Sequence, residues 1–363
     1  MKKRFALTLA GLLLGITVAT ASAASLSPLY SATAGSVKQV SIAYLQQTWV
    51  VTAVENSKGN LQVMAWNDSG SALVKTGSAA GGAINKIAVT GLDSSRVVTA
   101  DVNPATGNME ISVWKVSFPG GSVAQQGSTI SICCTATSVS IARIDATHVA
   151  TAATLVGTLF VNVFKVSSTG TITTDGVASA GAVSQTAIVG LTSTQVVTAT
   201  RNASNKLEVI AWGVGGGIVT QQGSATTSGT IKHLAITSIF TNQATTAMVN
   251  SGGNLELINW GISTTGTVTR QVSATAGAAS QIALCQQPIL PFTAIVDGSG
   301  DLAVEAWTSG TKTLKESATY DSTSAVTLVA VAPDFDSDIG MEGFVTAARG
   351  SDSNLELEVW LLN

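Results

Sequence analysis

Charge is what this 363-residue chain has least of: Asp, Glu, Lys and Arg together make up only 11% of it. The formal net charge is −3, and beyond the first residues no Lys/Arg cluster stands anywhere. Nucleic acid and anionic membrane surfaces are read through a basic footprint, so both partner classes are disfavoured. Cysteine is also scarce, with only Cys133, Cys134 and Cys285. An odd, small number cannot make a disulfide framework, so the fold must rest on packing. Histidine is limited to His148 and His233, and no His-x-x-x-His or Cys-x-x-Cys spacing exists, which removes the usual zinc sites. No Gly-x-Ser-x-Gly elbow appears, and no Gly-rich phosphate loop opens a helix. A triad assembled from distant residues stays open, because triads are recognised by geometry. After residue 23 no segment has helical spacing, and none is apolar for long enough to span a bilayer.

The N-terminus reads as a secretory signal peptide over residues 1–23, leaving one mature domain over residues 24–363. Lys2, Lys3 and Arg4 form the basic start, Phe5 to Thr20 is largely apolar, and Ala21-Ser22-Ala23 supplies small residues for cleavage. Losing those three basic residues and no acid takes the formal charge from −3 to −6. The expectation is a protein secreted to the periplasm or the medium, without membrane insertion. Hydrophobic residues reach 45% and recur in strand-like runs rich in Val and Thr, which fits an exported all-β protein rather than a disordered one.

What the chain has in abundance is repetition. Segments close to Ser-Ala-Thr-Ala-Gly begin at Ser31, Ser78, Ser128, Ser179, Ser224, Ser273 and Ser317. Each leads into a strand-like run ending in an aromatic: Trp66, Trp114, Phe164, Trp212, Trp260, Trp307 and Trp360. Those aromatics are spaced 48, 50, 48, 48, 47 and 53 residues apart, a period that marks a solenoid, a propeller or an array. In the second repeat the strands read as Asn85 to Leu92, Arg96 to Val102, Met109 to Val116 and a fourth led by Ser122 to Gly127. Their connections carry the Gly, Asn, Ser and Asp that hairpins require.

The third strand alternates, as in Leu207-Glu208-Val209-Ile210-Ala211-Trp212, with large apolar residues on both parities. A sheet buried on both faces expects this, so the Trp series reads as core between neighbouring sheets rather than a ligand-stacking ring. The second strand carries Val-Val-Thr-Ala or a reduced form of it, with the Thr at Thr52, Thr99, Thr151, Thr198, Thr246, Thr293 and Thr346. Four residues after five of these stand Asn56, Asn103, Asn202, Asn250 and Asp297, read as turn chemistry. Together these features predict an all-β, seven-bladed β-propeller of four-stranded blades. Residues from Ser25 to Tyr30 occupy the place of a fourth strand, so the N-terminus is expected to complete the last blade and close the ring. An open or differently counted array is the alternative.

In period and strand pattern the chain resembles the seven-bladed β-propellers of secreted bacterial repeat proteins, and more loosely the propeller lectins. It lacks the Gly-His and Trp-Asp signatures of WD40 repeats and the paired glycines of kelch. Asp297-Gly-Ser-Gly-Asp301 comes nearest to a calcium-bearing propeller repeat, and the other repeats do not share it.

Candidate sites are where the repeat turns irregular. Three residues after the repeated Thr the chain carries Glu55, Val102, Thr154, Arg201, Val249, Val296 and Arg349, positions expected around one mouth of the wheel. Glu55, Arg201 and Arg349 are the ligand-binding candidates, with ordinary variable surface as the competing reading. Trp49 stands outside the core series and is expected as an exposed stacking residue near the opposite rim. Cys133 and Cys134 lie in a two-residue insertion, either as a vicinal disulfide or as two thiols. Asp334, Asp336, Asp338 and Glu342 offer alternating oxygen ligands for Ca²⁺, the one candidate cofactor, against the alternative of a solvated acidic loop. No catalytic residue is assigned. The leading expectation is a monomeric, non-catalytic secreted scaffold whose partner is a glycan, a surface polymer or an extracellular protein. A hydrolase or lyase with its site in the central funnel, and a purely structural adhesin-like or envelope role, are the alternatives.

Overall fold

The computed structural model describes residues 25–287, 290–309, 314–334 and 343–362. The acidic segment running to Glu342 leaves them after Asp334, the last residue of its strand, so Asp336, Asp338 and Glu342 lie outside the described residues, as does the N-terminal stretch to Ala24. Among the described residues every regular element is a strand, and no helix is long and apolar enough to cross a membrane.

The strands are β1 (Leu26–Gln46), β2 (Trp49–Asn56), β3 (Asn60–Asp68) and β4 (Leu73–Ala83), then β5 (Ile87–Asp93), β6 (Arg96–Val102), β7 (Met109–Ser117) and β8 (Ser122–Ile132). Next come β9 (Ala136–Arg143), β10 (His148–Leu155), β11 (Thr158–Val166), β12 (Ile172–Thr192), β13 (Gln195–Asn202) and β14 (Lys206–Gly215). β15 (Ile218–Phe240), β16 (Gln243–Asn250), β17 (Asn254–Ile262), β18 (Val268–Gln287) and β19 (Leu290–Asp297) follow. β20 (Asp301–Ser309), β21 (Leu314–Asp334), β22 (Gly343–Gly350) and β23 (Asn354–Leu362) end the chain.

All pairings are antiparallel, and they fall into sets of four strands, such as β5-β6-β7-β8. Five long strands serve two sets at once. In β12, Ile172 to Ala182 pairs with β11 while Val183 to Thr192 pairs with β13. The Ser-Ala-Thr-Ala-Gly segments are thus the end of one set's outer strand, running straight into the next set's inner one. β1 does the same across the ends of the chain: Leu26 to Ser36 pairs with β23, and Val37 to Gln46 pairs with β2. The inner strands pack side by side in the order β1, β5, β9, β12, β15, β18 and β21, and β21 also lies against β1.

The core lies between sets. Trp66, Trp114, Phe164, Trp212, Trp260, Trp307 and Trp360 are all fully buried. Each sits on the opposite-parity residues of the preceding third strand: Trp260 on Leu207, Val209 and Ala211, Trp212 on Leu159, Val161 and Val163. Trp66 sits on Leu355, Leu357 and Val359, from the far end of the chain. Alternation on both parities is therefore one strand feeding two interfaces, as its pattern implied. Each of the six indoles in this series donates its N–H within its own set, to the repeated Thr hydroxyl across the hairpin at 2.9–3.1 Å. The Asn and Asp after that strand accept backbone N–H groups of their turns, as at Asn56, Asn202 and Asp297.

Candidate binding site at the start of the inner strands

The seven inner strands enter the structure through one local pattern, an apolar residue followed by two others that are polar in all but the last repeat. Val37-Lys38-Gln39, Ile84-Asn85-Lys86, Val183-Ser184-Gln185 and Ile231-Lys232-His233 show it most clearly. The apolar residue is buried between sets, and the register then slips by one, between Val37 and Gln39, Val183 and Gln185, Ile231 and His233, and Ala279 and Gln281. Such a bulge leaves its extra residue unpaired and re-aims it. Lys38, Ser184 and Lys232 are these extra residues, and all three are exposed.

The residues beyond the bulge, with their neighbours, border a single cavity of about 560 Å³. Six of the seven inner strands or their leading turns reach it, including Gln39, Lys86, Ser138, Gln185, His233 and Gln281, and Lys232 and Arg201 join them. The described lining holds no carboxylate and no aromatic ring other than the His233 imidazole. Burial first, then the charges of Arg201 and Lys232, push the His233 pKa down, so its imidazole is neutral near pH 7.

The polar groups here are incompletely used. In the lining, Arg201 Nε and Gln185 Oε1 are shielded from solvent and have no hydrogen-bond partner, and outside it the same holds of Thr154 Oγ1 and Arg349 Nε. Arg349 is otherwise engaged, through Nη2 to Ser353 Oγ at 2.9 Å and Nη1 to Thr327 Oγ1 at 3.4 Å. Glu55 is engaged as well: Lys38 Nζ lies 3.5 Å from its Oε1, and Gln39 Nε2 donates to its Oε2 at 3.2 Å. Among the described residues Arg201 faces no carboxylate and donates to no protein acceptor, unlike Arg96, which binds Asp93 and the Ser167 carbonyl.

The far end of these inner strands is tighter. Its cavity is about 300 Å³, lined by Ile42 to Leu45, Val89 to Gly91 and Val331 to Pro333, with Asp93 and Arg143 at the edge. Adjacent inner strands touch there through backbone: a Cβ on Gly91 would stand 2.5 Å from the Tyr44 carbonyl oxygen, and one on Gly190 would strike that of Arg143. Glycine at these places is a packing requirement.

Of the sequence-predicted residues, Arg201 lines the polar cavity, Glu55 touches it through Gln39, and Arg349 lies one set away beside Thr327. The intervening Val102, Thr154, Val249 and Val296 are buried and present nothing to a ligand. The polar ring is carried instead by their cross-strand partners, as Gln185 faces Arg201 and His233 faces Val249. Sequence reasoning passed over Lys86, Gln185, Lys232, His233 and Gln281 as site residues. The polar pair following the first apolar residue of each inner strand was the available signal.

Trp49 is not the exposed platform expected of it. It is 8% exposed, packs edge-on against Phe118 with ring centroids 4.7 Å apart, and meets Gly121, where a side chain would collide with it. Position alone suggested a rim, but the neighbouring set's turn covers it. Cys133 and Cys134 are exposed free thiols with sulfurs 3.0 Å apart, and their mutual hydrogen bond raises the Cys134 pKa. Cys285 is buried, which pushes its thiol up and keeps it unreactive. His148 stands at the other rim with Nδ1 3.0 Å from Asp145 and Nε2 3.6 Å from Asp175. Among the described residues no three His, Cys, Asp or Glu gather as a metal site.

No protein-family model matches this chain, and no curated protein matches it. Solved structures do. The WD40 domain of Toxoplasma gondii coronin superposes with a TM-score of 0.67 at 11% identity, covering 94% of this chain and 86% of that one. A protein from Lactobacillus plantarum gives 0.57 at 13% identity over 81% of this chain and 88% of its own. The C-terminal WD40 domain of Sif2 gives 0.52 at 10% identity over 93% and 99%. At these identities the likeness shows fold alone, and the fold is that of a β-propeller.

Proposed function

We propose that the chain is an exported, non-catalytic binding scaffold: a seven-bladed propeller closed by its own N-terminal strand, presenting a ligand site at the polar end of its axial channel. Closure is supported by β1 pairing with β23 and by Trp66 packing on Leu355, Leu357 and Val359. Export is supported by the basic, apolar and small-residue succession in residues 1–23.

The observation that carries the binding role is the cluster of unpartnered polar atoms at the mouth. A rigid propeller that satisfies its belt indoles so regularly leaves Arg201 Nε and Gln185 Oε1 without partners at the wider of the two described cavities between inner strands. Buried polar groups left unpaired cost stability, and they are retained where a partner arrives from outside. Catalysis is not proposed, because the cavity lining lacks the paired acids or base-and-nucleophile geometry that hydrolysis or elimination needs. The partner class favoured is a glycan or surface polymer, whose hydroxyls match a mouth of amides and hydroxyls.

The test is a glycan-array screen of the chain from residue 24 onward, in Ca²⁺ and again in EDTA. Selective binding that survives EDTA and is lost on Gln185→Leu is the expected result. Binding lost in EDTA would move the site to the Asp334 to Glu342 segment. No selective binding under either condition would overturn the glycan reading.

A further inference from the structure

The chain is acidic overall, yet three of its cations that have no carboxylate partner among the described residues meet at the polar mouth. Of the Lys and Arg residues, Lys86, Arg201 and Lys232 all border this one cavity, and none is paired with a carboxylate. Arg270 and Arg96 are tied to Glu256 and Asp93, and Lys38 lies against Glu55. The acids nearest this end do not cancel the charge. Glu55 is already occupied by Lys38 and Gln39. Asp101, next to Val102, is buried, and burial beside Glu110 pushes its pKa up to about 8, so it is largely uncharged at neutral pH. One of the three cations owes its position to the backbone: Lys232 is the extra residue of an inner-strand bulge.

Resting on the binding-scaffold reading above, we infer that the mouth recognises an acidic saccharide, a carboxylated or sulfated sugar entering the axial channel, with Arg201, Lys232 and Lys86 meeting the anion. The cavity, about 560 Å³, lies in the size range of small-ligand pockets, so a terminal or pendant sugar unit enters and a folded surface or a nucleic-acid duplex does not. Between the cations stand Gln39, Gln185, Gln281 and Ser138, which both donate and accept, as sugar hydroxyls demand. The cavity offers no Trp, Tyr or Phe on which a neutral sugar ring would stack. Discrimination therefore falls to charge. Arg201 is the anchor, since a guanidinium free of protein acceptors presents its fork of donors to a carboxylate or sulfate.

Calorimetric titration of the chain from residue 24 onward tests this with matched probes: an oligogalacturonate, the same oligomer fully methyl-esterified, a sulfated dextran oligosaccharide, neutral dextran and a poly-aspartate peptide. The carboxylated or the sulfated sugar should bind at least about tenfold tighter than its neutral counterpart, with the advantage shrinking as salt rises to about 0.15 M. Which of the two binds identifies the anion. Arg201→Gln and Lys232→Gln should each weaken that binding several-fold and leave the melting midpoint in place, while Lys115→Gln on β7, far from the mouth, should not change it. Equal affinity for acidic and neutral sugars would overturn this inference and leave the scaffold standing. Binding of poly-aspartate alone would overturn the saccharide class in favour of an acidic protein. Binding in no arm would overturn both the inference and the glycan reading beneath it.

Discussion

In the aromatic belt, six Trp side chains donate to six Thr hydroxyls with nearly one geometry, and each ring sits on the same three positions of the preceding set. Three residues further along the same second strands, at the mouth, the side chains become Glu55, Arg201 and Arg349 in three repeats and small or apolar in the other four. Belt and mouth are thus built on one backbone with opposite rules. The belt keeps a large aromatic in every repeat because each one closes an interface with the preceding set. At the mouth the constraint is looser: Val102, Val249 and Val296 still join the core between sets, but Glu55, Arg201 and Arg349 lie outside it, so this position can vary and accumulate chemistry. Unpartnered polar atoms lie mostly at the variable end, and the belt keeps its groups paired wherever the Trp is present.

The comparison breaks most visibly if a belt residue is removed. Trp212→Ala would delete a fully buried indole from the cluster of Leu159, Val161 and Val163 and leave Thr198 without its donor. A loss of about 3–5 kcal/mol is expected from the cavity and the lost transfer energy, read as a fall in the urea midpoint. Arg201→Gln at the mouth should change stability by less than about 0.5 kcal/mol, read from the same midpoint. Comparable losses at the two sites would mean that the mouth is structural after all.

This contrast also explains what could be read from sequence. The belt was legible because identical geometry forces identical residues: the spacing of Trp66 to Trp360 and the Val-Val-Thr-Ala strand announced the all-β repeat, the inter-sheet core and the strand limits within a residue or two. Arg201 was legible as an oddity at a repeated position. Lys86, Gln185, Lys232 and His233 were not, because they belong to the inner strand, whose bulge shifts the apparent parity by one residue and hides which side chains face the channel. Trp49 misled for a related reason. Its exposure depends on the Phe118 to Gly121 turn of the next set, a contact between residues some seventy apart.

A sharper test lies where belt and mouth meet. Asp101 stands two residues beyond the belt's Thr99 and one before Val102, at a place held by Val54, Ala153 and Ile295 in other repeats. Burial raises its pKa from 3.8 to about 8. The folded chain therefore keeps a proton that the unfolded chain has already lost, so stability falls as pH rises from about 4 to about 8 and levels off above. Glu358, raised to about 7 by burial and by Glu356, adds to the same slope. Asp101→Asn should flatten the decline and leave the variant more stable than the parent at pH 8, by on the order of 2 kcal/mol. Denaturation midpoints across that range measure it. A slope unchanged by the substitution would show that Asp101 is solvated, and so a charged member of the mouth.

The finest test uses the one repeat in which the belt departs from its own rule. Phe164 replaces Trp in the third set, and the facing Thr151 hydroxyl is buried with no partner. Elsewhere the same Thr is the acceptor of an indole N–H, as Thr198 is for Trp212 at 2.9 Å. The two Thr→Val substitutions are nearly identical in shape and should differ in sign. Thr198→Val strands a buried N–H and should cost about 1–3 kcal/mol, whereas Thr151→Val removes an already unpaired hydroxyl and should be neutral or slightly stabilising. If both cost the same, the Thr series would be holding the strand by packing alone. If they diverge, the repeated Thr is kept for the indole, and Thr151 persists only because its repeat descends from the same unit. The unsatisfied hydroxyl in the belt would then differ in kind from the unsatisfied groups at the mouth, a leftover in one place and a site in the other.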